Sequence, residues 1–435
     1  MFTPRCRAQA RRTIAVLAIL PALATAPPTR ADDASGIALG LDEAVRLAVT
    51  AQPVLDELDA QRRAARESAV SAAQLPDPQL NLAIADLPID TVDAYSFTGE
   101  ADTQVQIGLA QEFPRARKRR LRGETLQREA RLLDAARELA LRSIHRDAAL
   151  AWIELWRYDR ELQLTQASLR EATSQMQVAE IALRTASITQ AEFLTARQDV
   201  HRLADAVRRT EQRIAQARNT LSRWIGDAAL RPVCPDLPAL PAPPPLEAVL
   251  ARLDQHPQLI GATARVAAAR TGTRLAQSSY APDWRIELAY SHRTARADTV
   301  LLQTGVDLPL FTRDRQDRDV ATALAREAAA QSAVDDSRRQ LRSEARLNHH
   351  DYERLIERLR DYDTYLLPDS GARIDATLAG WRAGRSLFRD LLDARRAHLE
   401  VQTDRLDLQH ELANRYVQLV YLGAFGLAEG EVGHD

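Results

Sequence analysis

Asp390 and Asp393 lie three positions apart, which on a helix puts both carboxylates on one face. Such a pair is either a surface that draws cations or a solvated helix side. The adjacent His349 and His350, with His145, raise the question of a metal site. Neighbouring helical residues point about 100° apart, so the two histidines do not converge on one ion. Ligand spacing of three or four is also absent, and the histidines read as part of a polar helix face. Cys234 has no C-x-x-C partner and no nearby histidine, so it reads as an inert thiol. Arg115, Arg117, Lys118, Arg119 and Arg120 suit either a solvated first helical turn or a rim against lipid headgroups. The sequence has no G-x-S-x-G, no H-E-x-x-H and no glycine-rich phosphate loop. No enzyme, catalytic group, metal site or cofactor is expected.

The elements that must carry these residues are mostly helical. Ala, Leu, Arg, Glu and Gln dominate and aromatics are few, a mix that favours long helices and coiled coils. The 435 residues hold 58 Lys+Arg against 60 Asp+Glu, a formal net charge of -2, and Lys118 is the single lysine. The two signs are interspersed, so no basic block marks a nucleic-acid partner. At the N-terminus Arg5, Arg7, Arg11 and Arg12 precede an apolar run from Thr13 to Leu23, the pattern of an export signal. Cleavage after Ala26 or Ala31 is expected, and Cys6 lies ahead of the apolar run, not at a lipoprotein cleavage position. No other segment offers the roughly 20 apolar residues of a spanning helix. Membrane insertion, if any, must therefore use a β-barrel.

The chain is written twice. Leu41-Asp42-Glu43-Ala44-Val45 recurs as Leu246-Glu247-Ala248-Val249, Gln52-Pro53 as His256-Pro257, and Pro76-Asp77 as Pro282-Asp283. Glu112-Phe113-Pro114 matches Asp307-Leu308-Pro309, and Ala186, Leu194 and Ala196 match Gly384, Leu392 and Ala394. All matches run in order at an offset of about 200 residues, the mark of an internal duplication. The expected organisation is a signal over 1–31, a first repeat over 32–230, a Pro-rich extended connector over 231–245, a second repeat over 246–426 and a flexible tail over 427–435.

Each repeat reads as a helix broken near its start by Pro53 or Pro257, two strands, and a long helical hairpin. Leu80, Leu82 and Ile84 alternate with polar or small residues, as do Val105, Ile107 and Leu109. Trp284, Ile286, Leu288 and Tyr290 do the same in the second repeat, followed by Val300, Leu302, Val306 and Leu308, with Thr304 as a polar exception. Strands of about nine residues cross a bilayer when tilted. Four are too few to close a transmembrane barrel, so several copies must combine, and three would supply about twelve strands. The helices run from Arg115 to Arg184 and back from Thr189, then from Arg313 to Trp381, with a kink at Pro368, and back from Ser386. Ala, Leu and Val recur along them at spacings of three and four, as in a wall of paired helices.

The ordered set resembles the TolC-type outer-membrane efflux family over nearly the whole mature chain, Leu41 to Gly426. It rests on the duplication, the Pro-Asp pairs, the Glu-Phe-Pro and Asp-Leu-Pro strand exits, and the turns Ala186-Ser187-Ile188-Thr189 and Gly384-Arg385-Ser386-Leu387. The resemblance implies a mainly α fold: duplicated antiparallel helical hairpins with four transmembrane β-strands per chain in a homotrimeric barrel. It implies an outer-membrane location with the helices in the periplasm. It also implies a periplasmic adaptor and an inner-membrane pump of the RND type as partners, with solutes passing through unchanged. Trp381, Gly384, Asp390 and Asp393 match the family's gate, where threefold symmetry would stack the aspartates as two acidic rings. The tips Ala186, Ser187, Thr189, Gly384, Arg385 and Ser386 would contact the adaptor, although Ser187, Thr189 and Ser386 also suit helix capping. The family usually has glycine at both turns, so Ala186 predicts a first turn tighter or less symmetric than the second. The Pro76-Asp77-Pro78 and Glu112-to-Arg120 segments resemble the heavy-metal cation branch, while organic solutes remain an open cargo. The competing reading is a periplasmic coiled-coil adaptor or scaffold. Adaptors carry one hairpin flanked by Gly- and Val-rich β domains, which this sequence lacks.

Overall fold

The computed structural model of the chain describes residues 38–425 except Ala295. The signal segment, both cleavage positions and the tail lie outside the described residues. The first repeat folds as α1 (Leu41–Thr50), α2 (Pro53–Ala72), β1 (Gln79–Ala85), β2 (Gln104–Phe113), α3 (Ala116–Arg184) and α4 (Gln190–Ile225). The second gives α5 (Leu246–Arg252), α6 (Pro257–Ser278), β3 (Trp284–Arg293), β4 (Thr299–Val306), α7 (Gln316–Asp361), α8 (Leu367–Arg382) and α9 (Phe388–Tyr421). β4 stops at Val306, so Leu308 falls beyond the strand that its apolar alternation had suggested.

Pro53 and Pro257 open α2 and α6 at the first helical turn, where a missing N–H costs no hydrogen bond. The residue before each proline makes an equivalent cross-link. Gln52 Nε2 donates to the Trp224 carbonyl at the end of α4, 3.1 Å away. His256 reaches the Tyr421 carbonyl at the end of α9 through Nε2 at 3.2 Å, while its Nδ1 accepts from the Gln258 N–H. The duplication is therefore kept in contacts as well as in sequence.

α3 has 69 residues, about 100 Å of helix at 1.5 Å per residue. Its one glycine, Gly123, marks a close approach to α2. A Cβ there would sit 2.9 Å from the Ala69 carbonyl and 3.1 Å from the Ala73 Cβ. The matching long helix is interrupted by a π turn, Tyr362–Leu366, directly before α8. Pro368 has no N–H to give, and the wide turn absorbs the lost bond, with Leu367 N–H donating to the Tyr362 carbonyl.

The apolar cores are built between helices. One gathers Trp152, Ile153, Leu155 and Trp156 of α3 against α1, α4 and α9, and a second gathers Leu341, Tyr352 and Leu355 of α7 against Leu412 and Leu419 of α9. A third joins the two hairpin ends. Around the first two cores runs the connector. Trp156 Nε1 donates to the Pro235 carbonyl at 3.0 Å, Tyr352 Oη to Pro241 at 2.7 Å, and His349 Nε2 bonds the Pro244 carbonyl at 2.8 Å. Proline-rich chain keeps carbonyls while lacking N–H groups, so it needs donors, and these helices supply them. His349 is thus buried at 6% exposure beneath the connector and is not part of a polar face. The connector also meets the N-terminal segment, with Leu39 N–H donating to Pro232 and Cys234 N–H to Leu39.

Candidate functional site

The strands form one antiparallel sheet in the order β1-β2-β3-β4, so the seam between β2 and β3 joins the two repeats. Opposite residues in an antiparallel pair share a face, and the register keeps the alternation intact. Leu82 faces Ile107, Ile107 faces Tyr290, and Leu288 faces Leu302. All of these project into the open: Leu82 is 72% exposed and Leu302 66%. The other face carries Gln104, Gly108, Ala110, Ala289 and Ser291, which are buried. A Cβ on Gly108 would meet Ala289 Cβ at 3.1 Å. This face is small and polar apart from Leu301, which lies opposite Ala289, so the sheet has one polar and one apolar side.

At the foot of the seam Asp283 is the junction. Lys118 Nζ lies 2.5 Å from its Oδ2, and the Arg115 N–H donates to Oδ1 at 3.1 Å. Arg115 Nε also donates to the Pro282 carbonyl. Two members of the basic run are therefore committed to the partner repeat; Arg117 is exposed.

At the opposite end of the hairpins the two turns come together. Ala179, Ala182, Ile188 and Ala196 of the first pack against Phe388, Leu391 and Leu392 of the second. Trp381 packs against Phe388 with the rings tilted by 54° and their centroids 5.4 Å apart. The turns share one backbone design, contrary to the asymmetry expected from Ala186. Ala186 has φ 53° and Gly384 φ 68°, both left-handed. Ser187 N–H closes on the Ala182 carbonyl as Arg385 N–H closes on Gly380, each at 2.8 Å. The apolar packing of the tip holds Ala186 in a conformation that glycine adopts freely.

Capping is divided differently from the sequence expectation. Thr189 caps α4 and exchanges bonds with Glu192 in a capping box. Ser187 Oγ instead bonds Thr185 Oγ1, and Ser386 Oγ donates to the Thr377 carbonyl, so neither serine caps a helix. Asp390 serves α9 from its third position, accepting from the Leu387 N–H at 3.0 Å. Asp393 is exposed and pairs with Arg396 at 2.9 Å, which also holds the buried Asp199 of α4 at 2.6 Å. The Arg396 bridge between hairpins was not legible from spacing, because Asp199 and Arg396 lie on separate return helices. Arg385 lies exposed at the turn.

Among the described residues no helix is long and apolar enough to cross a membrane, and no group of three or more His, Cys, Asp or Glu is placed to hold a metal ion. No protein-family model and no curated protein matches the chain. Solved structures do. A membrane protein from Pseudomonas aeruginosa superposes with a TM-score of 0.75 at 17% identity, over 89% of this chain and 91% of its own. The outer membrane protein VceC from Vibrio cholerae gives 0.74 at 17% identity, covering 88% and 96%. The outer-membrane channel OprN gives 0.75 at 18% identity, covering 88% and 90%. The duplicated helical hairpins, the four-stranded sheet and these superpositions together give the chain the fold of the TolC-type outer-membrane channels.

Proposed function

We propose that the chain is one subunit of a homotrimeric outer-membrane efflux channel, passively carrying small solutes or metal cations from the periplasm to the exterior. The observation that carries this reading is the sheet: apart from Leu301, its large apolar side chains share one exposed face, and β1 and β4 are open edges. In water such a sheet is a liability, whereas in a bilayer the apolar face is solvated and the edges close against further copies. Three copies give about twelve strands, within the range of closed barrels. Among the neighbouring solved structures, OprN is described as an outer-membrane channel and VceC as an outer membrane protein, which supports the same reading.

In this reading the long helices hang into the periplasm and the paired tips face a periplasmic adaptor and an inner-membrane pump of the RND type. Ala186, Ser187, Thr189, Gly384, Arg385 and Ser386 form the adaptor-contacting edge. Trp381, Asp390 and Asp393 line the gate, and threefold repetition turns the aspartates into acidic rings that favour cations. Arg396 neutralises part of the Asp393 charge, so Asp390 carries more of the ring's field in this conformation. A coiled-coil scaffold without a pore is less favoured, because it has no use for a lipid-suited sheet face.

The test is the mass and conductance of the purified protein in detergent. A trimer that forms discrete conducting steps in planar bilayers is expected. A monomer that stays soluble without detergent refutes the reading. Sensitivity of a deletion strain to metals and to antibiotics then separates the two cargo classes.

A further inference from the structure

The unpaired edges of the sheet carry an instruction for their own closure. The two hairpins have the same register: Leu82 faces Ile107 as Leu288 faces Leu302, and Ile84 faces Val105 as Tyr290 faces Val300. β1 is therefore equivalent to β3 and β2 to β4, residue by residue. The seam between β2 and β3, which joins two repeats inside one chain, is then the template for a seam between β4 and the β1 of another copy.

We propose that β4 pairs antiparallel with β1 of the neighbouring copy with Val306 opposite Leu80, Thr304 opposite Leu82 and Leu302 opposite Ile84, and that Arg313 holds the neighbour's Asp77 at the foot of this seam. The proposal rests on the trimeric-channel reading above. The strand register follows by substitution into the internal seam, where Gln111 faces Ile286, Leu109 faces Leu288 and Ile107 faces Tyr290. It keeps the large apolar residues other than Leu301 on the outer face. A slip by one residue would turn them inward, so slips by two are the nearest competitors.

The ion pair breaks that remaining tie. Asp283, just before β3, is held by Lys118, which stands four positions past Pro114 at the exit of β2. Asp77 stands in the same Pro-Asp pair before β1, and Arg313 stands four positions past Pro309 at the exit of β4. Both are exposed, and neither has a hydrogen-bonded or ionic partner among the described residues. One copy of this contact is made within the chain, and the two halves of the other lie at opposite edges of the sheet.

Paired cysteines in a full-length chain carrying Cys6→Ser and Cys234→Ser read the register directly. Ala83→Cys with Gln303→Cys lies in register, about 4.5–5.5 Å between Cα atoms, within the disulfide range of about 4.4–6.8 Å. Ala83→Cys with Leu301→Cys, or with Gly305→Cys, is displaced by two residues and about 7–8 Å apart. Mild oxidation of the detergent-purified protein should give a covalent trimer from the first pair at least about tenfold faster than from either displaced pair. A displaced pair that links as fast overturns the register while leaving the trimer standing. A protein that stays monomeric before oxidation overturns both. Independently, Asp77→Asn and Arg313→Gln should each lower the temperature at which the trimer dissociates in SDS, and the double variant should lower it no further than one of them. Equal trimer melting in all four proteins overturns the ion pair.

Discussion

Replacing Ala186 by glycine should tighten the hairpin end that carries it. Ala186 sits at φ 53°, and its counterpart Gly384 at φ 68° in the same hydrogen-bonded turn. A left-handed residue with a Cβ costs roughly 1–2 kcal/mol. Glycine returns part of that gain, about 0.4–1 kcal/mol, through the greater freedom of the unfolded chain. The net stabilisation is about 0.5–1 kcal/mol, or a two- to fivefold change in a local opening constant at ~1.4 kcal/mol per tenfold. The reverse change, Gly384→Ala, isolates the backbone contribution, because no atom lies within 4 Å of the added Cβ. It should loosen the second turn by a similar factor. Amide hydrogen exchange at Ser187 and Arg385 is the suitable assay, since both N–H groups close their turns and the tips open locally without global unfolding. Faster exchange at Ser187 in Ala186→Gly, or unchanged exchange at Arg385 in Gly384→Ala, would refute the strain argument.

Gly123→Ala should destabilise the α2–α3 pair, because overpacking costs about 1–3 kcal/mol and helix propensity recovers only about 1; a raised thermal midpoint would contradict the close approach. His256 has its pKa lowered to about 4 by burial and then by the Arg142 charge. The unfolded chain takes up this proton first, so stability is intact above about pH 6.5 and falls as pH drops toward 4, by at most about 3 kcal/mol. His256→Asn keeps an N-cap acceptor without a titrating ring, and denaturation midpoints between pH 7 and 4.5 should fall less steeply in this variant. Asp390→Asn should lower the cation-to-anion permeability ratio in planar bilayers more than Asp393→Asn, whose carboxylate is already matched by Arg396; the opposite ranking would displace Asp390 from the gate.

Much of the architecture was legible because two periodicities survive without any tertiary context. Leu80, Leu82 and Ile84 alternate as a strand must, and the glycine-poor, proline-free run up to Arg184 has no other regular structure open to it. Pro368, in the first turn of α8, foretold a distortion at the right place, although not that a π turn would absorb it. What stayed hidden depends on partners distant in sequence. His349 and Tyr352 look like ordinary helix residues until the Pro244 and Pro241 carbonyls lie over them. Asp283 and Lys118 are separate loop and helix residues until the sheet brings the repeats side by side. At the tips, spacing correctly placed Thr189 as a cap but assigned the same task to Ser187 and Ser386, whose hydroxyls find nearer acceptors. Ala186 misled for a similar reason: residue preference describes the isolated turn, and the apolar contacts behind it overrule that preference.

The connector has a mechanical consequence. Trp156 belongs to α3, while His349 and Tyr352 belong to α7, and all three donors grip one stretch of proline-rich chain. The three bonds tie α3 and α7 to one strap at the level of the two cores. In the channel reading proposed above, a dilation that keeps these bonds bends the second hairpin at the π turn before α8.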